Sequence, residues 1–384
     1  MCALLKRHII PTPSADGWTI VMVALSLRPR ERPRRPPRVY DEAHCMWRFR
    51  RFRLLALSVL LVIAIVTVIV QLRKIAPPEG ARLLPGADAF VYADLQWARR
   101  ATILTGLPQI KRSPDYEQFV QDSGIDFERD LEQAALAVHY RAFGSPRYSA
   151  VLTGHIDAGR LASYLRRFSH STETEEGVEI YSIPLQDQTL RAAILGPDMV
   201  ALSNHEDAEV LRGVVIRSRK RASPFGGPSF LRAYYKRVPF ASMAWVIARV
   251  DPKTTFAEIP QLPIGSVRSL QSPAVVVASA RLIRAVHVKA EAFTASPEEA
   301  RGLTEKLNAV LTLLRFSEAE TPSGGPDADV KAFFESLKVA QDKDRSILTA
   351  TMPLGFVRKV FRDPVTESEA DATGKPVPKA PAAR

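Results

Sequence analysis

Apolar positions fall into three regimes along this chain. From Leu54 to Leu72 they are continuous: nineteen residues without charge, Gly or Pro, with only Ser58, Thr67 and Gln71 polar. From about residue 85 to 362 they are periodic, and the period switches repeatedly between two and three to four. Before residue 54 and after residue 362 they are sparse. At 1.5 Å per residue the continuous run reaches about 28 Å, close to the hydrocarbon thickness of a bilayer, and it predicts a transmembrane helix over 54–72. It is long for a signal-peptide core and lacks a small-residue cleavage pattern, so an uncleaved anchor is the expectation. The earlier apolar stretch Trp18–Leu27 is too short to span a membrane.

In the periodic region Ala89–Leu95 reads as a strand. Tyr116, Phe119 and Val120 sit at helical spacing, with Pro114 before them and Ser123-Gly124 as the stop. Ala134–Ala142 and Tyr148–Gly154 read as two strands joined by the turn Phe143–Arg147. Asp157 is placed to cap a helix burying Leu161, Leu165 and Phe168. The order then recurs. Leu190–Leu195 and Met199–Leu202 flank the hairpin signal Gly196-Pro197-Asp198, and Ser203-x-x-Glu206 is a capping box opening a helix with Leu211, Val214 and Val215 on one face. A third round has strands at Ser242–Val250, Ala274–Ala280 and Leu282–Ala292. Ser296-Pro297-Glu298-Glu299 then starts a helix with Leu303, Leu307, Val310, Leu311 and Leu314 as its stripe. After Ser323–Pro326 come a last helix with Val330, Phe333, Phe334 and Leu337, and a last strand, Ser346–Met352.

Strand pairs followed by helices predict an α+β fold, with antiparallel sheet and helices on one face. The expected organisation is a basic tail over 1–53, the transmembrane helix over 54–72 and a linker over 73–84. Two pseudo-repeated α+β lobes follow, over 85–222 and 223–362, divided at Ser223–Pro228, and then a disordered tail over 363–384.

Charge refines this picture. The net charge is +12, but residues 1–53 hold twelve Lys+Arg against four Asp+Glu, so most of the excess is in the tail, and no nucleic-acid partner is expected for the body. Seven arginines occupy the twenty residues before the apolar run, against Arg73, Lys74 and Arg82 after it, which puts the N-terminus in the cytoplasm and the body outside the inner membrane. Arg28–Arg38 is a Pro/Arg tract. It reads as a lipid- or RNA-touching tail, as a topogenic signal only, or as sequence ahead of a start at Met46. Both cysteines, Cys2 and Cys45, precede the run, so the body has no disulfide and no cysteine nucleophile, which suits a bacterial envelope.

Leu83-Leu84-Pro85-x-x-Asp88-Ala89-x-x-Tyr92-x-Asp94-Leu95 opens the body, and Thr153-Gly154-x-Ile156-Asp157 precedes a helix. In this order the chain resembles bacterial single-pass envelope proteins with domains of unknown function. That resemblance implies an envelope protein and supplies no catalytic residues.

Motifs for phosphate loops, dinucleotide binding, nucleophile elbows and zinc helices are absent. His139 and His155 lie on adjacent predicted strands, and with Asp157 they offer a two-histidine, one-carboxylate set, against the plainer reading as edge histidines. His205-Glu206-Asp207 sits in a first helical turn, and Asp94 has no visible partner. Arg166-Arg167 and Arg217–Arg221 suit helix C-termini or an anionic contact. No catalytic, cofactor or metal residues are assigned. The expected function is a membrane-anchored binding or scaffold module of the cell envelope, its partners the bilayer through Leu54–Leu72 and an envelope protein or cell-wall component. The alternative is a membrane-bound, hydrolase-like enzyme.

Overall fold

The computed structural model describes residues 57–67, 76–97, 99, 112–141, 145–186, 188–220, 226–251, 273–319 and 328–362. The basic tail, the Pro/Arg tract, the divider at 223–225, the break at Ser323–Pro326 and the C-terminal tail lie outside the described residues. The transmembrane expectation is corrected. Helix α1 covers 57–67, eleven residues or about 16 Å, and the rest of Leu54–Leu72 lies outside the described residues. Among the described residues, no helix is long and apolar enough to cross a membrane.

The chain divides at residues 64 and 65, and the described residues of the larger unit form one sheet of twelve strands. These are β1 (Ala89–Asp94), β2 (Leu131–His139), β3 (Arg147–Gly154), β4 (Ser171–Glu175), β5 (Val178–Leu185), β6 (Gln188–Gly196), β7 (Met199–Ser203), β8 (Ala244–Val250), β9 (Ala274–Leu282), β10 (Val286–Phe293), β11 (Lys338–Asp342) and β12 (Arg345–Met352). Their order is β11-β12-β10-β9-β8-β1-β2-β3-β7-β6-β5-β4, with antiparallel neighbours throughout. The α+β class holds, and the two expected lobes share one sheet. β1 pairs with β2 on one side and β8 on the other, so the sheet runs unbroken through the expected boundary. Each half starts as a three-strand meander, crosses over through a helix and returns a strand onto the third strand: β7 onto β3, and β12 onto β10.

The expectation of helices on one face also fails, because successive strand residues point to opposite faces and both faces of the first half are apolar. On one face Val151 and Ala201 pack with Leu83 of α2 (Glu79–Leu83) and with Leu211 and Val214 of α6 (Glu209–Arg219). On the other, Ala192 and Val200 pack with Leu161 and Leu165 of α5 (Ala158–Phe168). The C-terminal end of the expected linker is thereby part of the core: Leu83 and Leu84 are each 1% exposed. Between α2 and α5 lie α3 (Pro114–Ser123) and the single turn α4 (Phe127–Asp130); α7 (Ser229–Tyr235) follows α6.

In the second half α8 (Pro297–Ala319) begins where its capping box predicts: the Glu299 N–H donates to the Ser296 hydroxyl at 3.2 Å. Its expected stripe holds at Leu303, Leu307 and Leu311 and departs at Val310. Ala300, Leu303 and Leu311 are buried, whereas Val310 is exposed. Helices α9 (Ala328–Ser336) and α10 (Leu354–Arg362) follow, with Phe333 of α9 stacked on Phe356 of α10 at 4.4 Å. The capping box expected at Ser203 and Glu206 is absent. Asp207 takes that role, accepting from the Glu209 N–H at 2.9 Å, and Glu206 instead pairs with Arg141 and Arg147.

Candidate functional site

The candidate site most completely walled by apolar side chains lies under α5. Asp157 caps this helix by accepting from the Arg160 N–H at 3.0 Å, and Leu161 and Leu165 anchor it on the sheet. Phe168 continues the same stripe, yet it is 44% exposed. α3 lies alongside. Ser113 caps it, Gly124 stops it at φ 75°, and it buries no side chain except Ser123. Tyr116 fastens the chain after α3, its hydroxyl accepting from the Phe127 N–H at 2.9 Å. Arg112 bridges to Asp126 and Glu128 at 3.0 and 2.8 Å.

Between α3, α4, α5 and strands β3, β5, β6 and β7 the packing is incomplete beyond the Leu161 and Leu165 contacts. It leaves a cavity of about 470 Å³, within the usual range of about 300–1,000 Å³ for small-ligand sites. Leu152, Val200 and Leu202 form its floor and Ile183 and Leu190 a side wall. At the mouth Phe127, Phe168 and Leu185 are all 40% or more exposed. The rings of Phe119, Tyr164 and Phe168 form a chain across it: Phe119 meets Tyr164 edge-on at 5.5 Å, and Tyr164 lies 4.8 Å from Phe168. Tyr164 carries the polar atom of this wall. Burial raises its pKa, the Asp122 carboxylate adds to the rise, and the Arg167 cation opposes it.

The histidine and carboxylate set read from the sequence is not assembled. His139 pairs with Arg147 at one end of the β2–β3 ladder, and His155 follows Gly154, which pairs with Leu131 at the other end. Along a strand rising about 3.4 Å per residue that is roughly 25 Å, far beyond any shared metal. His155 is 82% exposed beside Glu132 at 3.6 Å, and Asp157 is committed to its cap. Among the described residues, no group of His, Cys, Asp or Glu could hold a metal ion. Asp94 accepts from the Gln96 N–H at 3.1 Å, a local cap. Arg166 pairs with Glu179 at 2.5 Å. Arg217 turns inward and donates to the Leu83 carbonyl at 2.8 Å, so it offers no surface charge, and burial lowers its pKa.

His139 instead meets His205, with ring centroids 5.0 Å apart. The His205 Nδ1 accepts from the Asp207 N–H at 3.1 Å. Burial, and then His205, hold the His139 imidazole below its ordinary 6.5, while Asp88 pulls the other way. With a depressed folded pKa, the imidazole stays neutral in the fold while the unfolded chain takes up a proton. Its contribution is therefore complete above the unfolded pKa and is lost as pH falls below it. The melting temperature is expected to drop between about pH 7 and about pH 5, and His139→Phe to remove part of that drop. A variant profile parallel to wild type would count against this.

No family model matches this chain. No curated protein matches it. Among solved structures, crystal form III of TP0453 is similar at 12% identity and a TM-score of 0.39, covering 74% of this chain and 98% of that one. Crystal form I of the same protein gives 12% identity and a TM-score of 0.40, covering 74% and 96%. An overlap this loose assigns neither family nor activity.

Proposed function

We propose that this chain is a binding module, and that its ligand is apolar and sits between α3, α5 and the sheet. The observation that carries the reading is the cavity itself: it is open at one end and walled almost wholly by hydrocarbon. Water in such a space finds few hydrogen-bond partners, so an apolar ligand displaces it at little cost. Its setting on this reading is a cell envelope. In support, α1 exposes Leu57, Leu60 and Leu61, and an arginine-rich stretch precedes it, a combination that favours an anionic membrane surface. Recovery of the full chain entirely in the soluble fraction would count against that setting.

The test of the site is to plug it. Leu152 lines the floor, so a larger side chain there takes up cavity space. The neutral fluorescent probe N-phenyl-1-naphthylamine is expected to bind wild type and to lose about tenfold or more in affinity for Leu152→Trp, with a melting temperature near wild type. Equal binding by both proteins removes the cavity as the site.

A further inference from the structure

Resting on the cavity as the ligand site, we propose that its ligand is a long-chain carboxylate, the chain lying inward over Leu152 and Val200 and the head at Arg167. The volume of about 470 Å³ falls in the lower half of the range for small-ligand sites, which suits one hydrocarbon chain better than two. A wall whose one polar side chain is Tyr164 offers little to a compact polar ligand. Arg167 and Asp122 stand at one place beside the mouth, which orients an amphiphile.

That place is the last turn of α5. The Arg167 guanidinium lies 5.2 Å from the centroid of the Phe168 ring, at the mouth. Tyr164 lines the cavity and lies within the electrostatic reach of Asp122 and Arg167. The other arginines near this rim are committed. Arg166 pairs with Glu179 at 2.5 Å, Arg129 with Asp130 at 2.8 Å, and Arg160 donates to the Gln121 carbonyl. Arg167 has a different status. Its side chain is 67% exposed, and its partner Asp122 stands 3.6 Å away, too far for a hydrogen bond. A planar fork of donors is therefore available to a second carboxylate, and a bidentate pair is the geometry a guanidinium favours. The ring of Phe168 keeps that fork beside the opening.

The experiment is displacement of N-phenyl-1-naphthylamine from the full chain by hexadecanoate and by hexadecanol, which share a chain and differ in charge. Hexadecanoate is expected to displace the probe at about tenfold lower concentration than hexadecanol. Arg167→Gln is expected to bring the two together by weakening hexadecanoate alone, and Arg167→Lys to restore part of the difference. If the two ligands act equally on wild type and on Arg167→Gln, the carboxylate head is overturned while the apolar site stands. If the probe binds but only a two-chain phospholipid displaces it, the single-chain ligand is overturned. If the probe does not bind at all, the site falls, and this inference with it.

Discussion

Gly154→Ala is expected to be the most damaging single-methyl change in the described chain, lowering stability by at least about 3 kcal/mol. A Cβ at this position would stand 2.8 Å from the Leu131 Cα and closer still to the Asp130 carbonyl oxygen. Both obstacles are backbone, so no rotamer change relieves the overlap. The neighbourhood is held from three directions. The Gly154 N–H donates to the Asp198 carbonyl at 2.9 Å, the His155 N–H donates to the Asp130 carbonyl at 2.8 Å, and the β2–β3 register shifts between Leu131 and Gln133. Moving any one strand to admit the methyl group breaks a hydrogen bond of another. Gly302→Ala is the control of opposite sign. It lies in α8 with open space around its Cβ, and the change is expected to stabilise by about 0.5–1 kcal/mol through helix propensity. Thermal melts of the two variants decide this. Gly154→Ala melting within about 2 °C of wild type would mean the three segments do not cross as placed.

The same glycine shows how much the sequence could tell. Thr153-Gly154-x-Ile156-Asp157 stood out as a phrase before a helix, and its structural meaning is a backbone crossing plus a helix cap, with no chemistry in it. Strands with short apolar runs, such as Tyr148–Gly154 and Ser242–Val250, were legible because such a run bounded by turn residues is the mark of a buried strand. β4 and β5 were not. Ser171–Glu175 is an edge strand of polar residues, and its hairpin turns on Glu176 and Gly177, at φ 49° and 74°, without a strong Asn-Gly signal. Missing β5 meant missing the cavity, since Ile183 and Leu185 belong to its wall. Phe168 was placed in a buried stripe by its spacing. Periodicity gives the direction of a side chain but cannot say whether anything stands opposite, and here a void does. The shared sheet was not legible for a related reason: a repeat of element order shows similar halves but carries no information about β1 pairing with β8.

That pairing makes the second large effect, expected for Phe90→Ala, a loss of about 3–5 kcal/mol felt by the whole sheet. Phe90 is 0% exposed and sits in β1 between Ala137 of β2 and Ile247 of β8. Its ring lies 6.2 Å from that of Phe230. The core around it is continuous: Leu83, Val151 and Leu211 come from one side of the seam and Trp245, Ile247 and Val277 from the other. Truncating the ring removes contacts from both sides at once, and the strands around it are held in register by their neighbours, so the space cannot collapse shut. Trp245 is 2% exposed and stacks on Tyr92 at 5.4 Å, so with Trp18, Trp47 and Trp97 replaced by Phe its fluorescence reports the seam, whereas far-UV circular dichroism reports the whole sheet. In denaturant the two signals are expected to change together in wild type and in Phe90→Ala, with the midpoint moved to lower concentration and the slope kept. Two resolved transitions, with Phe90→Ala shifting only one, would mean that the halves fold separately and that the seam between β1 and β8 does not couple them.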